Sequence, residues 1–155
     1  MTELKNLAFE ATKNILEKNL QIYHPDLIGK KVVLVYDTDS ILSSLISDWY
    51  IENLKAYPNA EIILYSSIKS DDLRKKLLSL EEWRAVIMVE STNFRLEEFR
   101  IRINLQKRKV ANIEHNHLVY IKEYETKTYL EAISYQSPYF QKVSDWLKSK
   151  VENWN

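Results

Sequence analysis

The order of apolar and polar positions divides the chain into alternating helix and strand. Leu4, Leu7, Ala8, Ala11, Ile15 and Ile22 fall at helical spacing, which predicts an amphipathic first helix that ends near Pro25 and Gly29. "KKVVLVYDTD" follows, a continuous apolar run rich in β-branched residues and short enough for a strand buried on both faces. Asp37, Thr38, Asp39 and Ser40 offer N-caps to a helix whose apolar face carries Ile41, Leu42, Leu45, Ile46, Trp49, Tyr50 and Leu54. "YPNA" breaks that helix, and "EIILYSS" reads as a second strand. Ser70 opens a helix through Leu73, Leu77 and Leu80; "RAVIMVES" reads as a third buried strand and "KVANIEH" as a fourth, shorter one.

The segment between the third and fourth strands carries two periodicities. Phe99, Ile101, Ile103 and Leu105 alternate with polar residues as in a strand, whereas Leu96, Phe99 and Ile103 share a helical face, with Glu98 and Arg102 spaced as an ion pair. Buried parallel strands need a crossover, nearly always a right-handed helix, so topology predicts a helix over roughly Asn93 to Lys107. The tail, "KEYETKTYLEAISY" and "SPYFQKVSDWLKSKVENW", predicts two more helices, with Ser137 as a cap and Pro138 at the first helical position. The alternation as a whole predicts one three-layer α/β domain over 1–155. Its sheet is mostly parallel, of about four strands, and Rossmann- or flavodoxin-like.

Composition changes the picture mainly by exclusion. The chain has 155 residues and a single glycine, Gly29, so neither G-x-G-x-x-G nor the P-loop motif exists, and no G-x-S-x-G elbow can form. With no cysteine there is no disulfide, thiolate metal site or Cys nucleophile. Lys+Arg and Asp+Glu balance at 22 each, so no overall field draws the chain to nucleic acid or an anionic membrane. The first residues are charged throughout, and no apolar run nears the ~20 residues that span a bilayer, so a cytoplasmic protein is expected.

In open parallel sheets the ligand crevice lies beyond the carboxyl ends of the strands. The polar residues there are Asp37 and Asp39, then Ser66, then Glu90, Ser91 and Thr92, and finally Glu114, His115 and His117. These are the candidate ligand-binding residues, although Ser, Thr, Asp and Asn occupy such positions equally well as helix caps. His115 and His117 would share one side if the strand continues, with Glu114 on the other. With Asp37 or Glu90 the two imidazoles would make a three-ligand metal site with an open position, but H-x-H alone is a weak motif and no metal or other cofactor is expected.

"VVLVYDTDS", an apolar strand followed by D-x-D, resembles the haloacid-dehalogenase phosphatases, in which the first Asp is a nucleophile and the second a general acid. The likeness implies a phosphate-binding role for Ser66 and a small metal-dependent hydrolase as the rival to a binding module; no distal lysine and acidic magnesium pair follows. Arg95, Arg100, Arg102, Lys107, Arg108 and Lys109 form a basic strip that helical geometry spreads over several faces, a solvated surface and not a nucleic-acid site. Tyr120, Tyr124, Tyr129, Tyr135 and Tyr139, with Phe140, Trp146 and Trp154, either pack the last helices onto the sheet or form a surface for a protein partner or a homodimer.

The opening helix, "KKVVLVYDTDSILSSLISDWY", "STNFRLEEFRIR" before "VANIEHN", and the closing amphipathic helix together resemble the N-terminal α/β domain of the thermophilic, aminopeptidase T-like metallo-aminopeptidases. In that family the two-metal catalytic site belongs to a separate C-terminal domain, and this chain reaches "KSKVENWN" where that domain would begin. The resemblance therefore implies a module without activity as an isolated chain, and carries none of the family's metal ligands over to His115 or His117. The expectation is a non-catalytic α/β domain that binds a protein partner, itself or a small ligand at the strand ends.

Overall fold

The computed structural model describes residues 2–19, 31–81, 84–92, 98–116, 118, 123–134, 142–143, 146–147 and 149–150. Strands that are apolar on both faces require a helical layer on each side, and this requirement organises the chain. The elements run α1 (Thr2–Asn14), β1 (Val32–Tyr36), α2 (Ile41–Leu54), β2 (Ala60–Leu64), α3 (Ser70–Leu78), β3 (Ala85–Val89), α4 (Glu98–Lys107), β4 (Ala111–His115) and α5 (Glu123–Ile133). The four strands form one all-parallel sheet in the order β2-β1-β3-β4.

Burial follows position in the sheet. The central strands β1 and β3 are almost wholly buried, while the edge strands β2 and β4 are mostly half-buried. Val32, Leu34, Ala85, Ile87 and Val89 face Ala8 of α1, Leu42, Ile46 and Tyr50 of α2, and Leu130 of α5. Val33, Val35, Val86 and Met88 face the opposite layer, Leu73 and Leu77 of α3 with Ile101 and Leu105 of α4. The expected three-layer α/β architecture is thus the observed one.

Two features join α1 to α2 besides apolar contact. The rings of Phe9 and Trp49 meet edge to face at 5.4 Å. The Asn53 amide donates to Thr12 Oγ1 at 2.9 Å and to the Phe9 carbonyl at 3.3 Å, satisfying polar groups within the helix contact. Ser40 starts α2 through a capping box, in which Ser43 N donates to Ser40 Oγ and Ser40 N donates to Ser43 Oγ.

Several boundaries differ from the sequence expectation. The first helix passes into a π-helical turn at Ile15–Asn19, and Ile22, Pro25 and Gly29 lie outside the described residues. "EIILYSS" stops being a strand after Leu64, because Tyr65–Ser67 wind into a 3₁₀ turn. The Ser70 helix ends at Leu78, although Leu80 still joins the core. Of the helix expected over 93–107, residues 98–107 are helical and the start lies outside the described residues. So do Ser137 and Pro138 at the head of the last predicted helix.

The end of α4 carries the one positive-φ non-glycine residue among those described, Lys109 at φ 56°. Lys109 N donates to the Gln106 carbonyl and Val110 N to the Leu105 carbonyl, and Val110 and Leu105 both sit in the core, which is a Schellman motif with lysine where glycine is usual. A left-handed residue with a Cβ is destabilised by about 1–2 kcal/mol, partly offset in glycine by its freer unfolded chain. Lys109→Gly is therefore expected to raise stability by up to about 1 kcal/mol in urea denaturation, with an unchanged m-value.

Candidate functional site

The strand order β2-β1-β3-β4 is that of the first four strands of a flavodoxin-like sheet, and it places the topological switch point between β1 and β3. Connections leave β1 and β3 in opposite directions there, the position at which open α/β sheets hold their ligands. The groups at that point are Asp37 after β1 and Glu90, Ser91 and Thr92 after β3.

Asp37 is buried and its carboxylate is spent within the fold. Its Oδ2 accepts from Ser91 N at 2.7 Å and from Ser91 Oγ at 2.9 Å, and its Oδ1 accepts from Asp39 N at 3.3 Å. The first two bonds bridge the β1 and β3 loops across the switch point, and the third closes an Asx turn inside the D-x-D sequence. Ser91 is as deeply buried as its partner, so the contact is shielded from solvent. Beside it Thr38, Asp39 and Thr92 remain exposed, and Ile41 at the start of α2 is 84% exposed. Ser66 is exposed in the turn after β2, at the sheet edge.

Glu90 is buried, and its backbone ties the third strand end to the fourth. Glu90 N donates to the His115 carbonyl at 2.8 Å, and Leu118 N donates to the Glu90 carbonyl at 3.2 Å. His115 and Glu114 point to opposite faces of β4, as strand alternation requires. Glu114 turns toward α4, where Arg102 binds it in a two-pronged ion pair and the amides of Asn112 and Asn116 donate at 2.5 and 3.2 Å. Burial alone pushes the Glu114 carboxyl up, but these hydrogen bonds outweigh it and hold the group below the usual carboxylate value.

His115 enters the opposite core, between Tyr50 of α2 and Tyr129 of α5. Tyr50 Oη lies 2.8 Å from Nε2 and Tyr129 Oη lies 2.7 Å from Nδ1, so both ring nitrogens are taken. The ring also touches both phenols, at centroid distances of 5.6 and 6.2 Å. Burial lowers the imidazole pKa from 6.5 to about 4, so the ring is neutral at pH 7. One nitrogen then donates to a tyrosine oxygen while the other accepts a tyrosine O–H.

The candidate residues therefore fall into three groups. Asp37, Asp39, Ser91 and Thr92 meet around the switch point with Glu90 at its side; Ser66 stands at one edge of the sheet; Glu114 and His115 lie at the other edge, engaged on opposite faces. His117 lies outside the described residues. Among the described residues no group of three His, Asp or Glu side chains could hold a metal ion. Of the basic strip, Arg102 is committed to Glu114 and Arg108 donates to the Leu80 carbonyl; Arg95 and the side chain of Arg100 are not described.

Sequence reasoning missed the partners of His115. The available signal was Tyr50, a phenol on an otherwise apolar helical face, whose buried hydroxyl needs a hydrogen-bonding partner. No family model, curated protein or solved structure matches the chain.

Two measurements check this geometry. Asp37→Ala strands the buried Ser91 N–H and hydroxyl and is expected to destabilise the chain by about 2–3 kcal/mol, while Asp39→Ala changes it by less than about 0.5 kcal/mol. For His115 the native pKa lies below the unfolded one, so its contribution is complete above pH 6.5 and is lost as pH falls toward 4, by about 3 kcal/mol in all. Urea midpoints measured from pH 7.5 to 4 are expected to fall less steeply in His115→Gln than in the parent chain.

Proposed function

We propose that this chain is a non-catalytic α/β binding module whose ligand or partner seats at the carboxyl ends of the strands, over the β1/β3 switch point. The observation that carries this reading is the Asp37–Ser91 bridge. A carboxylate that already accepts three hydrogen bonds inside the fold is poorly suited to attack a phosphate or shuttle a proton. It is well suited to hold two loops as a fixed floor. Above that floor, exposed Thr38, Asp39 and Thr92 supply polar contacts and Ile41 an apolar one. His115, the strongest acid–base candidate in the sequence, is sealed between two phenols and supports the same reading. So does the likeness in element order to the N-terminal domain of the metallo-aminopeptidases, a family whose metals are bound by another domain. The tyrosine-rich tail is a second contact region in this proposal, with Tyr124 at 65% and Trp146 at 58% exposure.

A backbone-amide NMR screen of peptides and small metabolites against the purified chain tests the proposal. Saturable shifts concentrated at residues 38–41 and 91–92, reduced by Ile41→Asp, are the expected result. Steady turnover of p-nitrophenyl phosphate or a peptide amide, abolished by Asp37→Asn, would establish the metal-dependent hydrolase instead.

A further inference from the structure

The opposite end of the sheet holds a second feature, independent of the strand carboxyl ends. An open groove of about 490 Å³ lies against the amino ends of the strands, lined by Lys31, Asn59, Ala60, Glu61 and Arg84. Its volume falls in the range of small-molecule sites, roughly 300–1,000 Å³.

The placement of its cations is informative. Val32 pairs with Ala85 in parallel register, and Ala85 N donates to the Lys31 carbonyl, so Lys31 and Arg84 are neighbours on adjacent strands, one residue before each strand begins. Alternation puts both side chains on the face of Val33 and Val86, the α3/α4 side. Like charges side by side on neighbouring strands are destabilising. A third cation, Lys76 from the last turn of α3, reaches the same place.

Among the described residues the groove has one lining carboxylate for these three cations. Glu61 pairs with Lys31 at 2.7 Å and with Lys76, and the two lysines hold its carboxyl below the usual value although burial opposes them. Arg84 is left with Glu81 at 3.2 Å, a partner whose side chain is 81% exposed and so screened by solvent. Among the described residues, and counting Glu81 as well, the cluster has one positive charge in excess. Helix dipoles explain lysines in the last turn of α3, because the partial negative charge of a helix C-terminus attracts them. They do not explain Lys31 and Arg84, which stand at strand starts.

We propose that this groove binds the phosphate group of a small molecule between Lys31 and Arg84, with Lys76 as the third cation and Glu61 as the internal anion that the phosphate displaces. Arg84 offers a forked pair of donors that matches phosphate oxygens, and Lys31 a compact charge beside it. A groove of about 490 Å³ is of a size for a compact phosphate ester.

The test is a titration followed by backbone-amide NMR, at constant ionic strength, with inorganic phosphate and with glycerol 3-phosphate as probes. Saturable shifts at residues 31, 59–61 and 84 are expected with either compound; tighter binding of the ester assigns a contact to its organic part, and equal binding assigns the site to the phosphate group alone. Arg84→Gln should weaken binding at least about tenfold, the loss of the forked, charge-assisted donors. Glu61→Gln should tighten it by removing the competing carboxylate. Shifts that follow ionic strength and not phosphate concentration, or binding that Glu61→Gln weakens or leaves unchanged, would overturn the proposal. Because Glu61→Gln is read as a gain, misfolding of a variant cannot imitate the expected result.

Discussion

The structure depends on the fact that β1 and β3 are apolar on both faces. Val32 through Val35 and Ala85 through Val89 leave no position along either strand for a polar side chain, so the backbone must reach the strand ends before polar chemistry can appear. The same burial forces helices onto both sides, and parallel pairing forces each connection to cross back over the sheet. The switch point between β1 and β3 is a consequence of these two requirements. Asp37 is the first polar residue after β1, and Ser91 the second after β3, which is why they meet.

That meeting changes what the D-x-D sequence means. In the sequence, Asp37 and Asp39 are two carboxylates of equal standing. In the fold, Asp37 is a crosslink between the two loops of the switch point and Asp39 closes a turn with its backbone N–H, leaving its own side chain exposed. His115 shows the same logic at the sheet edge. A polar ring in the core is tolerated because two phenols satisfy both nitrogens, and the arrangement joins α2, β4 and α5 through hydrogen bonds that greasy side chains would not specify.

The fold was legible in the sequence to the degree that period and burial coincide. "VVLVY" and "AVIMV" are continuous apolar runs because both faces are covered, and the helix ending at Lys107 was recoverable by topology although its own pattern alternates like a strand. Local signals fared worse where tertiary contacts decide. The 3₁₀ turn at Tyr65–Ser67 continues a β-prone sequence, and the π turn at Ile15–Asn19 has no marker in residue type. The positions of the candidate site residues at the strand ends were also readable. Their partners were not, since Asp37 and Ser91 are 54 residues apart and Tyr50 and His115 are 65 apart. Pairing at such separations is fixed by strand order, which spacing along the chain does not encode.

A balanced net charge hides a directional one. Because every strand points the same way, every crossover helix begins at the carboxyl end of the sheet and ends at the amino end. The charges of α3 follow that direction, with Asp71 and Asp72 at its start and Lys75 and Lys76 at its end, as does Lys107 at the end of α4, whereas α2 has no acidic residue in its first turn and no basic one in its last. Charges at the ends of α3 and α4 are thus the ordinary companions of parallel topology and imply no ligand. What remains after that subtraction is small and specific. At one end it is a carboxylate, Asp37, bound by an N–H and a hydroxyl from the neighbouring loop; at the other it is Lys31 and Arg84, adjacent cations on strands with no helix end of their own. The first pair stabilises the fold as it stands. The second is compensated, among the described residues, only by Glu61 and the exposed Glu81, and that difference is what the proposed phosphate site rests on.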